Sequence, residues 1–253
     1  MLSIVTINFN NREGLIRTLQ SLYEQQSTSF ELVIIDGGST DGSVEVIDRY
    51  KQFFSKIYTV SEPDLGIYDA MNKGAALCNN DFVSFLNSGD VFISSDYLDS
   101  VVDFIVLSRP TIGFYSDIII TNSTGELDRI WRSREFSSVL FYVFGVVPPH
   151  PSTFIRRQIL VELKFDLRYN IAADYDFFLR LIRNYGVPNY FNTTAVYMEG
   201  GGVSNRSFKS VYLANVEVIK SWMAVFGYMP LWLILLKPLF KVSQKVEGFF
   251  KSR

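Results

Sequence analysis

Asp90 closes the run DFVSFLNSGD, in which an apolar, β-prone stretch from Phe82 to Leu86 ends abruptly in Asn87-Ser88-Gly89-Asp90. In a parallel α/β sheet, ligands bind outside the carboxyl ends of the strands. A carboxylate there, beside a glycine that lets a ligand approach closely, suits a hard cation such as Mg²⁺ or Mn²⁺. Alone, the same four residues are ordinary turn formers. Other strand-like runs also end in acids, however. FELVIID ends in Asp36, followed by Gly37-Gly38-Ser39-Thr40-Asp41-Gly42. This turn between a strand and a helix suits a ligand loop, and Asp36 would accept hydrogen bonds from a base or ribose. Asp41 is placed to cap a helix over 44–50. A third short strand, 57–61, leads into SEPDLGIYDAMNKG, with Asp64 in the loop. Asp69 and Lys73 then fall at i, i+4 of a helix over 67–77, with Asn72 beside them. That polar face is either a surface ion pair or a wall of a nucleotide site.

The elements that must position these groups are strongly patterned. Leu2–Ile7 reads as a central strand. Leu15, Leu19 and Leu22 give an amphipathic helix over 13–23. Further on come a helix over 96–108, a strand over 113–121, and a hairpin turn at 122–125 into a strand over 127–131. Arg129, Arg132 and Arg134 form a basic cluster, either a solvated edge or a contact to an acceptor's phosphate. Strands alternating with helices specify an α/β architecture, and 253 residues suffice for one large domain plus an appendage. No G-x-G-x-x-G follows the first strand and no P-loop motif occurs, which disfavours a dinucleotide or P-loop site. Net charge is −2, so no nucleic-acid partner is expected. The single cysteine, Cys78, permits no internal disulfide, fits a reducing compartment, and reads as a buried apolar residue. The N-terminus opens directly in a strand pattern, and no secretory signal is expected.

Taken in order and spacing, TINFNN, IIDGGSTDGS, SEPDLGIYDAMNKG and FLNSGD resemble the inverting family 2 glycosyltransferases of GT-A fold. The subset most similar builds O-antigen, capsule and colanic-acid-type polysaccharides in bacteria. The resemblance is strong over about 1–95 and weaker over about 145–205. It implies a mostly parallel mixed sheet between helices, with Thr6 and Asn8 lining the nucleotide pocket and Asp36 reading the base. It places Asp64 and Lys73 beside the nucleotide-sugar, preferably a UDP-sugar. The turn Asn87–Asp90, with Ser88 and Gly89, falls at the place of the family's D-x-D metal motif but keeps one acid, Asp90. His150, among Pro148, Pro149 and Pro151, resembles the family's H-x-(S/A)-x-F element and would touch the diphosphate or donor sugar. Asp174 falls at the position of the general base, with Ala173 in place of the usual Glu. Asp176 is the competing candidate, facing another way on the same helix.

The implied reaction moves one sugar to a hydroxyl of a polyprenyl-diphosphate-linked saccharide at the inner face of the cytoplasmic membrane. A glycine-rich turn over 199–205 reads as a lid, after a strand over 189–196. We expect the transferase domain over 1–205 and a helical appendage over 206–253, with a helix over 205–226 stopped by Gly227. The uncharged, Trp-containing stretch Trp222–Leu236 precedes Lys237, Lys241 and Lys245 on one face. That pattern suits a helix lying on an anionic membrane. Core packing, or a dimer contact giving a homo-oligomer, is the other use. Two further readings remain open. One is an inactive scaffold subunit of the same fold, the other a nucleotidyltransferase, for which TINFNNREG lacks a triphosphate loop.

Overall fold

A computed structural model describes residues 1–122, 127–133, 141–142, 145, 147–200, 208–230 and 232. Four expectations fall outside these residues: the hairpin turn at 123–125, Arg134, the lid over 201–205, and the membrane-facing tail beyond Trp232.

The chain opens on β1 (Leu2–Asn8), buried along its whole length. α1 (Arg12–Tyr23) returns it to β2 (Phe30–Asp36), and α2 (Ser43–Tyr50) leads to β3 (Ile57–Ser61). Next come α3 (Ile67–Leu77), β4 (Phe82–Phe85), the two-residue β5 (Val91–Phe92), α4 (Tyr97–Ser108), β6 (Gly113–Thr121) and β7 (Leu127–Trp131). A 3₁₀ turn at His150–Ser152 precedes β8 (Phe154–Arg156), α5 (Arg157–Leu163), α6 (Ala173–Asn184), β9 (Asn189–Glu199) and α7 (Phe208–Phe226).

All nine strands join one sheet, in the order β3-β2-β1-β4-β8-β6-β9-β5, with β7 on β6. β3, β2, β1 and β4 are mutually parallel. β8 is antiparallel to both β4 and β6, so β6 runs with β1, and β9 is parallel to β6. The carboxyl ends of β1–β4, β6 and β9 therefore share one edge. Strand order reverses at β1, whose neighbours are β2 and β4, and a crevice opens at such a switch point.

Period-2 alternation splits the core between the two sheet faces. Val5, Ile7, Val33 and Ile35 pack under α3 and α6 with Phe177, Phe178 and Trp222. Leu2, Ile4, Leu32 and Ile34 pack under α1, α2 and α4 with Leu15, Leu19 and Leu98. Gly74 lets α3 lie on β1: a Cβ there would meet Val5 Cγ1 at 2.4 Å. Cys78 is fully buried, and burial pushes its thiol up to about 12, as an inert core residue requires. α7 packs on α6 and contributes Val218 and Trp222 to the core. Among the described residues no helix is long and apolar enough to cross a membrane.

Candidate active site

Polar groups concentrate at the switch point. Asn8 and Asp36 are paired across β1 and β2. Asp36 is fully buried, and both its oxygens are occupied. One accepts from Asn8 Nδ2 at 2.8 Å and Ser39 Oγ at 2.6 Å, the other from Ser39 N at 2.9 Å and Ser61 Oγ at 2.8 Å. Burial pushes its carboxyl up, but the bonds from Ser39, Asn8 and Ser61 outweigh that and hold it below the ordinary range. With its lone pairs filled, Asp36 ties β1, β2 and β3 together and offers nothing to a base.

The groups left open lie beside it. Thr6 Oγ1, Asn8 Oδ1, Asn87 Oδ1 and Ser88 Oγ are buried side-chain oxygens without a partner. Natural interiors seldom leave such atoms unpaired, so a cluster of them at one strand edge marks a place for a polar ligand. Asp64 closes the same end: a Cβ on Gly37 would meet its Oδ2 at 2.7 Å, while its Oδ1 accepts from Gly66 N at 2.8 Å.

The 87–90 turn is held from α1. Thr18 Oγ1 donates toward the carbonyls of Asn87 (3.2 Å) and Asp90 (2.8 Å) and accepts from Gly89 N at 3.0 Å. Asn11, the N-cap of α1, donates to Ser88 O at 3.0 Å. Gly89 has φ +105°, a conformation that favours glycine. Asp90 is 7% exposed, and burial pushes its carboxyl up to about 8, with the Glu199 carboxylate adding to the shift. Glu199 itself is bound by Arg17 at 2.5 Å. Asp90 with Asn87 Oδ1 and Ser88 Oγ forms a set of hard oxygen donors, which fits Mg²⁺ or Mn²⁺ in kind. Among the described residues no three His, Cys, Asp or Glu side chains gather in a metal-binding group. Any such ion would lean on the ligand's own oxygens.

Three further expected positions are placed as follows. Asp41 does not cap α2 directly; the N-cap is Gly42, at φ +90°. Asp41 instead accepts from Ser43 N (3.1 Å) and from Arg12 N (2.8 Å), serving the starts of α2 and α1 at once. On α3 the surface ion pair forms, and Asn72 turns to the protein. Lys73 pairs with Glu62 at 2.9 Å and Asp69 at 3.3 Å, and Asn72 exchanges two hydrogen bonds with the Phe165 backbone. His150 lies against the rings of Phe85 and Phe165 and lines a small apolar cavity with Phe177 and Phe178. Burial lowers it to about 4, so it is neutral at pH 7 and carries no charge for a diphosphate. Its buried Nε2 has no partner and leaves one hydrogen-bonding position.

The two acids of α6 are clearly distinguished. Asp176 is 3% exposed and locked by Arg180 (2.7 Å) and Ser221 Oγ (2.7 Å). Asp174 is only partly buried, in the first turn, and accepts from Tyr175 N at 2.7 Å. Around its loop stand Tyr68, whose hydroxyl donates to Ile171 O at 2.9 Å, and Glu217 of α7. Thr18, Tyr68 and Glu217 escaped the sequence reading; the one local signal was Thr18 interrupting the leucine stripe of α1. On the α6 side of the sheet, a polar cleft of about 790 Å³ crosses β6, β7 and β9, lined by Asp117, Arg132, Tyr190, Asn192 and Thr194 among others.

The model of "Glycosyl transferase family 2" matches residues 3–187. The chain belongs to this family. It is 30% identical over 228 residues to a PGL/p-HBAD biosynthesis glycosyltransferase of Mycobacterium bovis, covering 86% of this chain and 84% of that one. An uncharacterized glycosyltransferase of Mycobacterium tuberculosis is 35% identical over 183 residues, covering 70% and 67%. Among solved structures, Staphylococcus aureus TarS 1-349 in complex with UDP-GlcNAc superposes with TM-score 0.65 at 16% identity, over 88% of this chain and 72% of that one. A Pyrobaculum calidifontis mannosyltransferase in complex with GDP-Man and Mn²⁺ gives 0.62 at 17%, over 90% and 64%. The chain spans 39% of the longer TarS chain. These likenesses confirm the mixed α/β, GT-A-like fold, and the chain is a glycosyltransferase.

Proposed function

We propose that this enzyme transfers one sugar, with inversion, from a nucleotide-diphosphate sugar, UDP-linked by preference, to a hydroxyl of a polyprenyl-diphosphate-linked saccharide. The observation that carries this reading is the cluster of unpartnered buried oxygens on Thr6, Asn8, Asn87 and Ser88 at the β1/β4 switch point. The nucleotide-diphosphate moiety lies there, with Asp64 bordering it and Asp36 acting as a positioning residue for Asn8 and Ser39. Lys73 acts through Glu62 at the loop's edge, and His150 supplies a neutral hydrogen-bonding contact. Asp90, Asn87 and Ser88 would hold Mg²⁺ or Mn²⁺, which when bound offsets charge on the leaving nucleoside diphosphate.

Asp174 is the general base. Its carboxylate takes the proton from the acceptor hydroxyl as that oxygen bonds to the anomeric carbon, on the face opposite the departing phosphate oxygen. The bond from carbon to phosphate oxygen breaks, and its electron pair leaves with the nucleoside diphosphate. Such a base is worth roughly 10²–10⁴-fold in rate. The acceptor saccharide occupies the cleft over β6, β7 and β9, where Tyr190 gives an aromatic surface and Asp117, Arg132, Asn192 and Thr194 give hydrogen bonds. The acceptor's lipid places the enzyme at the inner face of the cytoplasmic membrane, with the basic tail (Lys237, Lys241, Lys245) on anionic headgroups. The product feeds a surface glycan of the O-antigen, capsule or colanic-acid type. The Mycobacterium bovis relative, named for PGL/p-HBAD biosynthesis, widens that range to glycosylated lipids.

The test is turnover of UDP-N-acetylglucosamine or GDP-mannose, scored as release of UDP or GDP, in wild type and Asp174→Asn. Loss of about 10²-fold or more with nucleotide binding retained supports the base assignment. Equal turnover in the two proteins overturns it.

A further inference from the structure

The loop that carries Asp174 is gripped from two sides by residues distant in sequence. From α7, the Glu217 carboxylate accepts the backbone N–H groups of Asn170 (3.0 Å), Ile171 (2.9 Å) and Ala172 (2.8 Å). Ala172 is the N-cap of α6 and has no side chain to satisfy the opening N–H groups, which need acceptors. Glu217 supplies one from another helix. From α3, the Tyr68 hydroxyl donates to Ile171 O and lies beside the Asp174 N–H and carboxylate. Tyr68 sits in the first turn of α3, directly after the 62–66 loop. That loop is tied to α3, since Leu65 N donates to Asp69 Oδ2 at 3.1 Å and Gly66 N donates to Asp64 Oδ1.

We propose that Glu217 and Tyr68 are positioning residues for the base: Glu217 fixes the orientation and charge environment of Asp174, and Tyr68 couples that loop to the donor-side loop 62–66. The proposal rests on the reading of Asp174 as base and of 62–66 as donor border. Both carboxylate oxygens are used, one by Asn170 N and the other by Ile171 N and Ala172 N, so an amide in its place would keep an acceptor on one side only. A negative charge held on the Ala172 N–H, two residues before Asp174, also raises the cost of ionising Asp174, and so strengthens it as a base. Among the described residues, the neighbouring acids of α6 and α5 are engaged elsewhere. Asp176, on the same helix, is neutralised by Arg180. On α5, Glu162 is engaged by the Tyr185 hydroxyl, and the Leu163 carbonyl serves Arg180. His150 lies among phenylalanines. From α3, Tyr68 stands beside Asp174, while Asp69 and Lys73 pair with each other.

The experiment is a ¹³C NMR titration of the Asp174 carboxyl in the full chain, assigned with Asp174→Asn. Wild type, Glu217→Gln, Glu217→Asp and Tyr68→Phe are compared with and without UDP. Glu217→Gln is expected to lower the Asp174 midpoint by about half a pH unit or more, while Glu217→Asp, which keeps the charge, restores most of it. In wild type, UDP shifts the Asp174 resonance; in Tyr68→Phe that response is lost while UDP affinity stays within about threefold, because a hydroxyl remote from the nucleotide contributes under one RT ln 3 to binding. An unmoved midpoint in Glu217→Gln, or an intact UDP response in Tyr68→Phe, overturns the proposal. Failure of the underlying reading looks different: Asp174→Asn turns over normally, or UDP and GDP do not bind, while the Glu217→Gln midpoint shift still scores the electrostatic half. Should Glu217→Gln unfold, the charge effect is read in wild type, where the Asp174 midpoint is expected to fall as added salt screens Glu217, and a midpoint that salt leaves unmoved overturns it.

Discussion

Replacing Asp36 separates a positioning carboxylate from a base-reading one. In Asp36→Ala, four donors lose their acceptor. Ser61 is exposed and its hydroxyl turns to water, and the Ser39 hydroxyl rotates. Asn8 Nδ2, on a residue 1% exposed, keeps Ser39 Oγ at 3.2 Å as a second acceptor, but the fixed Ser39 N–H has no such freedom. Hydrogen bonds to a charged group are worth about 1.5–3 kcal/mol each, so the one stranded donor costs about 1.5–3 kcal/mol. Asp36→Asn is milder. Its oxygen takes the Ser39 N–H, its amide faces Asn8, and a flip of Asn8 presents the Oδ1 that now lacks a partner. The expected cost is about 1–2 kcal/mol.

Acid adds a second signature. The Asp36 carboxyl is held below its unfolded value, so its contribution to stability is complete above about pH 4 and is lost as pH falls through the folded value. Asp36→Asn removes that share of the acid dependence. The assay is urea unfolding followed by tryptophan fluorescence at pH 7 and about pH 3, with UDP and GDP titrations at pH 7 alongside. A loss under about 1 kcal/mol in Asp36→Ala, or a tenfold change in the ratio of UDP to GDP affinity in Asp36→Asn, refutes the argument.

Other expectations follow from the same geometry. Burial holds His150 well below the ordinary imidazole value, at about 4, so the unfolded chain takes up its proton first and stability falls as pH drops from about 6.5 toward 4. Urea midpoints across that range should decline less steeply in His150→Gln. Thr18→Val removes the hydroxyl that binds Asn87 O, Asp90 O and Gly89 N while keeping the shape. It should weaken UDP binding about tenfold in the presence of Mn²⁺, by loosening the 87–90 turn, and lower the melting temperature, because the buried Gly89 N–H loses its acceptor. Binding unchanged in calorimetry would count against that turn as part of the site.

Much of the fold was legible because it is local. β1, β2 and β3 carry continuous apolar runs, and α3 begins and ends where Gly66 and the change of pattern at Cys78 place it. The two-residue β5 was invisible: Val91 and Phe92 have no period of their own and become a strand only by pairing with β9. β9 itself continues to Glu199 because β6 offers a partner that far, beyond the expected end at Val196. The site divides the same way. Its acids and glycines announce themselves at strand ends. Whether an acid faces a ligand or the protein depends on partners far along the chain. Asp36 is filled by Ser61, 25 residues on, and Asp176 by Ser221, 45 residues on. Tyr68 meets Ile171 across 103 residues. The polar face of α3 reads like a ligand wall until Phe165 is seen to occupy Asn72.

The central claim is that a nucleoside diphosphate, held with a divalent cation, occupies the switch point between β1 and β4. Calorimetric titration of UDP and GDP into wild type and Asp90→Ala, each with and without Mn²⁺, tests it most directly. The account predicts that UDP binds, more tightly with Mn²⁺, and that Asp90→Ala still binds UDP but gains nothing from the cation. Absence of binding by either nucleotide, or an Mn²⁺ effect that survives intact in Asp90→Ala, would contradict it.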